Sequence, residues 1–369
     1  MELSGQRRSD WSPSMARYPS PSLALTGIVS LLLLVGCSGA EETAPLSERE
    51  ERQPLQKVDA PASPALLLPD IPGGKLVAVT VVDDRQLLYR LIEREQFNQL
   101  KDVGAAARLF FHLEVDSAAA LEKVLKRLGG NESGLPNVSL ASFPTDLQLL
   151  PVPRKKDAFF RSLLPLVVFH NEVSAARRRR LEQLRMETSS GSEDSLFLAE
   201  MCRYYRLDRQ EMNLETPADT LTALLERVDQ IPPSLALAQA AIESGWGGSR
   251  FSKEGNNLFG QRVWSADGGM APKEVEKARF RLAVFATIGG SIRSYMRNLN
   301  SHPAYAEFRR LRRDMREGGG VLDPRVLTGG LQRYSTRGQE YVDDLIGFIE
   351  YNDLRRFDRA VLDAVRASN

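Results

Sequence analysis

From residue 150 onward, apolar residues recur at helical intervals with charged positions between them. The stretch RKKDAFFRSLLPLVVFHNEVSAARRRRLEQLRME predicts a long amphipathic helix, broken or kinked at Pro165, where proline removes a backbone donor. Its run Arg177–Arg180 reads as a solvated helix face. SLFLAEMCRYYRL and DTLTALLERVDQI predict two further helices, the first placing Cys202 on an apolar face. After Pro232-Pro233-Ser234, LALAQAAIES predicts a short, largely buried helix. Alanine at 236, 238, 240 and 241 allows close packing on all sides, and Gly245 is suited to end the helix in a left-handed conformation. The segment SRFSKEGNNLFGQRVW then forms a polar turn leading into a strand. An Asp-Gly turn lies within 265–272, and VEKARFRLAVF returns as a strand with Phe280, Leu282 and Val284 on one face. TIGGSIRSYMRNLN resumes helix, capped by Thr287.

The pattern before residue 150 is different. KLVAVTVV reads as a strand, and RQLLYRLIEREQFNQL as a helix carrying Leu87, Leu88, Leu91 and Ile92. AARLFFHLEV fits a strand or a buried helix equally, and SAAALEKVLKRLGG is a helix capped by Ser117 and stopped by Gly129-Gly130. Residues 73–149 thus form a small α/β module with no chemistry written on it. Residues 38–70 are rich in Ala, Pro, Ser and Glu, cannot bury enough apolar surface to order themselves, and read as a tether.

Charge narrows the function. Lysine and arginine number 49 against 48 acidic residues, so no basic excess is present for a nucleic-acid footprint. Two cysteines and three singly placed histidines (His112, His170, His302) match no metal spacing, so neither a metal nor a cofactor is expected. The apolar run LALTGIVSLLLLV at 23–35 is too short for a comfortable membrane span but suits a signal-peptide core preceded by Arg7, Arg8 and Arg17. Met15 would give a more usual start than Met1. Leu34-Val35-Gly36-Cys37 resembles the lipobox of bacterial lipoproteins. That resemblance implies removal of residues 1–36, lipidation of Cys37, and a membrane anchor continuing into a 37–72 tether. Ser38 points to the outer membrane, facing the periplasm.

Glu243 is the residue that invites chemistry. At a helix C-terminus, beside Ile242 and Trp246, both the helix dipole and burial favour its protonated form, which a general acid must hold at neutral pH. PPSLALAQAAIESGWGGSRFSKEGNNLFGQ closely resembles the active-site segment of Bax-type bacterial glucosaminidases, in glycoside hydrolase family 73. NLNSHPAYAEFR and LQRYSTRGQEYVDDLIGFIEYNDLRRFD resemble its downstream segments. The resemblance spans about 150–360. It implies an α+β, mainly α, lysozyme-like catalytic domain over 150–369 with a small β-hairpin lobe. It also implies peptidoglycan glycan strands as substrate, cut at β-1,4 bonds after N-acetylglucosamine. Glu243 matches the family's acid, and Tyr334 a tyrosine near the reacting sugar. Trp246 and Phe259 would shape the groove; Asn257 and Gln261 would bind sugar or make the turn. For a second carboxylate, Glu274 and Glu276 rank level, on or near the returning strand, with Asp267 at the hairpin tip and Glu254 in the preceding loop; the substrate's acetamido group is the alternative. Arg177–Arg180 would at most add a wall-binding patch. Two competing readings remain open: a lytic transglycosylase, although Asn-Leu-Phe-Gly-Gln stands where those enzymes usually carry Gly-Leu-Met-Gln, and a non-catalytic glycan-binding lipoprotein.

Overall fold

A computed structural model describes residues 71–363, apart from 84–86, 100–107, 130–133, 188–190, 209–215, 265–268 and 272–279. The expectations for Cys37, the tether, Asp267, Glu274 and Glu276 fall outside the described residues. No helix among the described residues is long and apolar enough to cross a membrane.

The first elements are β1 (Lys75–Val82), β2 (Tyr89–Glu93), α1 (Arg94–Gln99), β3 (Arg108–Glu114), α2 (Ala118–Leu128) and β4 (Val138–Leu140). They build a four-stranded sheet in the order β2-β1-β3-β4, antiparallel except for the β3–β4 pair. The helical periodicity expected through Leu91 and Ile92 gives way to strand β2. Pairing of Thr80 with Leu91 and Val79 with Ile92 satisfies the backbone and overrides a weak local preference. Within AARLFFHLEV, Arg108–Glu114 forms strand β3, with Phe110 wholly buried. Ser117 caps α2 by accepting from the Ala120 amide, as expected.

The helical body follows: α3 (Val152–Met186), α4 (Ser192–Tyr204), α5 (Pro217–Arg227), α6 (Pro233–Ser244) and α7 (Arg250–Gly255). Then come the hairpin β5 (Arg262–Val263) and β6 (Arg281–Leu282), α8 (Ile288–Ser301), α9 (Ala306–Glu317), α10 (Pro324–Thr328) and α11 (Gln339–Tyr351). The class is therefore α+β and mainly α, with a small hairpin lobe. The hairpin is shorter than its sequence pattern: Leu282 is buried, but Val284 lies beyond β6 and is exposed. Helix α3 runs unbroken through Pro165 for 35 residues. Buried neighbours on both sides of Pro165, from Phe159 to Phe169, supply packing that outweighs the single lost hydrogen bond.

Sheet and helices share one hydrophobic core. Phe110 of β3 meets Phe169 of α3 at 5.1 Å between ring centroids. His170 on α3 joins three elements: its Nδ1 lies 3.1 Å from the Tyr89 hydroxyl of β2 and its Nε2 3.1 Å from the Gly289 carbonyl of α8. One neutral tautomer satisfies both contacts, accepting at Nδ1 and donating at Nε2. His112 on β3 pairs with Thr80 Oγ1 at 2.7 Å. Burial holds His112 down to about 4 and His170 down to about 3. Because folding depresses both below the ordinary 6.5, their stability contribution is full above pH 6.5. It falls away as the unfolded chain takes up protons below that pH. In urea unfolding of the full chain between about pH 6.5 and pH 4, each histidine should contribute a fall of about 1.4 kcal/mol per pH unit. That fall is set against the opposite slope of Glu243, whose raised carboxyl adds stability as pH falls over the same range. His170→Gln should remove one such component.

The arginine run is not a solvated face. Arg177 is 1% exposed and is enclosed by the rings of Tyr89, Tyr204 and Tyr205. It donates to the Leu87 carbonyl and to the Tyr205 hydroxyl. Arg178 donates to the Leu225 carbonyl at 2.7 Å, Arg180 pairs with Asp194, and of the four only Arg179 is exposed. Guanidinium stacks on aromatic faces and keeps its charge when buried, so the aromatic enclosure replaces lost hydration.

Candidate active site

Helix α6 begins at Pro233, a residue preorganised for a first helical turn. Its N-terminus is capped from elsewhere in the chain. Asp358 accepts from the Ser234 amide at 2.8 Å and from the Ser234 hydroxyl at 2.9 Å. Residues Leu235 through Ala241 are buried, as the alanine pattern requires. Gly245 ends the helix at φ 57° and ψ 49°, the left-handed cap expected of it. Ser244 helps turn the chain, donating to the Ala240 carbonyl and accepting from the Gly247 amide.

Glu243 occupies the last turn of this helix, partly exposed at one side and enclosed at the other. The Tyr341 hydroxyl of α11 donates to its Oε1 at 3.0 Å. Burial pushes the carboxyl up to about 7, and the Tyr341 hydrogen bond opposes that rise only in part. Near neutrality Glu243 is therefore divided between acid and carboxylate, the state suited to giving up and recovering one proton.

The enclosing wall is built of tyrosines from four segments. Tyr295 comes from α8, Tyr305 from the 303–305 turn, Tyr334 from the 329–334 turn and Tyr341 from α11. Tyr334 and Tyr341 stack at 5.6 Å and 6°, and Tyr305 lies 6.0 Å from Tyr334. Burial, then the nearby Glu243, raises Tyr305 to about 12; the same two causes lead the rise of Tyr334 and Tyr341, and burial leads that of Tyr295. All four stay protonated at physiological pH. They present Glu243 with neutral, polarisable surroundings that deter a full charge without supplying a cation.

The other expected residues separate into groups. Tyr334 belongs to the wall, and its hydroxyl lies 3.3 Å from the Phe259 carbonyl. Phe259 is buried and stacks on Tyr295 at 3.9 Å, so it supports the wall from behind. Asn257 is buried and spans the turn, donating to the Gln261 and Ala283 carbonyls and accepting from the Gln261 amide. Gln261 spends both ends of its side chain on Ser291. These two residues fasten the hairpin to α8, which favours the turn-making reading over sugar contact. Trp246 takes φ 59° and turns its ring among Phe159, Phe160 and Phe348, with the Lys156 ammonium 4.9 Å from its centroid. It anchors the helix end to α3 and α11. Glu254, another acidic candidate, is exposed on α7 and bonded to Arg250 at 3.3 Å.

Sequence reasoning missed Tyr341, Tyr295, Tyr305 and Gln239. Gln239 carried a signal, since it is the single carboxamide in an otherwise apolar run and lies four residues before Glu243, on the same helix face. No group of three or more histidine, cysteine or acidic side chains among the described residues could hold a metal ion.

Residues 219–354 match the glucosaminidase family, described as mannosyl-glycoprotein endo-beta-N-acetylglucosaminidase. The chain is 32% identical to the Bax protein of Escherichia coli (strain K12) over 222 residues, which covers 60% of this chain and 77% of that one. Among solved structures, it is similar to the catalytic domain of the autolysin Auto from Listeria monocytogenes. That match has 20% identity, a TM-score of 0.25, and coverage of 49% of this chain and 96% of that chain. The matched segment contains Glu243 and all four wall tyrosines, and on the strength of the Bax similarity the chain belongs to the glucosaminidase family of glycoside hydrolases.

Proposed function

We propose that this protein hydrolyses the β-1,4 bonds of peptidoglycan glycan strands on the reducing side of N-acetylglucosamine, with Glu243 as general acid. One observation carries this reading. A carboxyl raised to about 7 stands at a helix end, partly open to solvent, its far side held by a tyrosine donor. An acid of that strength is protonated often enough at neutral pH to deliver a proton to a leaving glycosidic oxygen, and ionised often enough to be reset by water. The second group is either a carboxylate of the hairpin segment, Glu274 or Glu276, or the substrate's own acetamido oxygen. A lipid anchor at Cys37 would keep the enzyme at the envelope, within reach of its polymer.

The test is digestion of purified peptidoglycan by the full chain in detergent, with products identified by mass spectrometry. Reducing N-acetylglucosamine ends are the expected product. Anhydro-muramic ends would replace hydrolysis with a lytic transglycosylase reaction, and wall binding without cleavage would make the protein a glycan-binding scaffold.

A further inference from the structure

Behind the acid lies a buried chain of polar groups that the proposed reaction does not itself require. Gln239 is wholly buried on α6, one turn before Glu243. The Tyr295 hydroxyl donates to Gln239 Oε1 at 2.6 Å, Gln239 Nε2 donates to the Tyr341 hydroxyl oxygen at 2.9 Å, and Tyr341 donates to Glu243 Oε1 at 3.0 Å. Tyr295 is itself fixed by its stack on Phe259.

The amide gives this chain a direction. Its nitrogen has donors and no lone pair to offer, whereas a tyrosine hydroxyl can both donate and accept. With Tyr295 donating to the amide oxygen, the nitrogen faces Tyr341, whose oxygen must accept. The single Tyr341 proton is then committed to Glu243. A carboxyl oxygen receiving that proton cannot turn its own proton toward the same hydroxyl. We propose that Gln239 is a positioning residue: held by Tyr295, it fixes the sense of the Tyr341 hydroxyl, keeps Oε1 of Glu243 as an acceptor and leaves the transferable proton on Oε2. This rests on the reading of Glu243 as general acid. Among the described residues, the titratable groups facing Glu243 are the tyrosines Tyr295, Tyr305, Tyr334 and Tyr341, and none of these brings a competing charge.

Without the amide, the Tyr341–Glu243 pair is free to reverse. The protonated carboxyl gains the option of donating to Tyr341, which stabilises the acid form and draws the proton to Oε1, away from the groove. Gln239→Met should therefore raise the carboxyl above about 7. It should move the alkaline limb of the kcat profile upward and lower kcat roughly tenfold, with KM unchanged. Tyr295→Phe keeps the ring stack and removes only the hydroxyl, so it should shift the carboxyl the same way by less; it serves where Gln239→Met fails to fold. The decisive comparison is a double-variant cycle with Tyr341→Phe. Once Tyr341 has no hydroxyl, Gln239→Met should leave the carboxyl of Glu243 where Tyr341→Phe put it. The measurement is an infrared titration of the carboxylic acid band in the full chain, assigned by difference from Glu243→Gln. A lowered carboxyl in Gln239→Met or Tyr295→Phe, or effects that simply add in the double variant, would overturn the proposal. If Glu243→Gln retained activity, the functional reading would fail, while the titration would still decide the direction of the chain.

Discussion

Glu243→Gln should lower kcat on peptidoglycan by about 10²- to 10⁴-fold while making the protein more stable in alkali, two effects with one cause. The introduced amide keeps the shape and accepts from Tyr341 as the carboxylate does, but it has no proton to give. Folding raises Glu243 from 4.5 to about 7. Its stability contribution is therefore full below pH 4.5 and is lost as pH rises through 7, where the folded protein must hold a buried carboxylate. The amide side chain stays neutral throughout, so the variant should gain on the order of 1–3 kcal/mol over wild type at pH 9 and little at pH 4. Urea unfolding at the two pH values checks this. Equal stability of the two proteins at pH 9 would mean that Glu243 is not strained by burial, and the argument for its acidity at pH 7 would go with it.

Asp229→Asn should produce the largest loss of stability. Asp229 is 2% exposed and receives Arg316 at 2.8 and 3.1 Å, with Arg178 at 3.5 Å and Arg312 at 3.8 Å. Burial alone would raise its carboxyl, but Arg312, Arg316 and Arg178 together hold it below the usual range. Arg312 is 1% exposed, so removing the carboxylate leaves a guanidinium without water or counter-charge at this point. Breaking a buried pair in that way costs about 3–5 kcal/mol. A loss below about 1 kcal/mol in denaturant unfolding would show that backbone acceptors such as the Gln230 and Glu226 carbonyls satisfy Arg312 unaided. Because folding lowers the Asp229 carboxyl below its ordinary 3.8, wild type should shed this contribution only as pH falls below that value.

What the sequence makes legible follows the range of the forces involved. Helix α6 can be read because its signals are local: prolines at its start, alanines along it and Gly245 to end it. The position of Glu243 follows from them. Tyr341 could not be found in this way, since it meets Glu243 across 98 residues and nothing in GQEYVDDL marks which face will turn inward. Arg177 misleads for the same reason. In a run of four arginines it resembles its neighbours, and only the convergence of Tyr89, Tyr204 and Tyr205 buries it. Strand β2 shows the limit of periodicity: Leu91 and Ile92 suit a helix until β1 offers them partners. Asn257 and Gln261 show that a polar cluster beside an acid can owe its chemistry to the turn it holds together.

The acid is carried on α6, but its supports come from a later stretch of chain. Tyr341 meets it at one end of that helix, Asp358 holds the other end, and the backbone at Val361 and Asp363 pairs with Leu135 beside the sheet. A product truncated before residue 341 would contain Glu243 without its donor, without its helix cap and with the sheet unlatched. Such a fragment should be inert. A ribosome that stalls or a protease that clips before residue 341 would thus leave a copy whose candidate acid lacks both its hydroxyl donor and the cap of its helix.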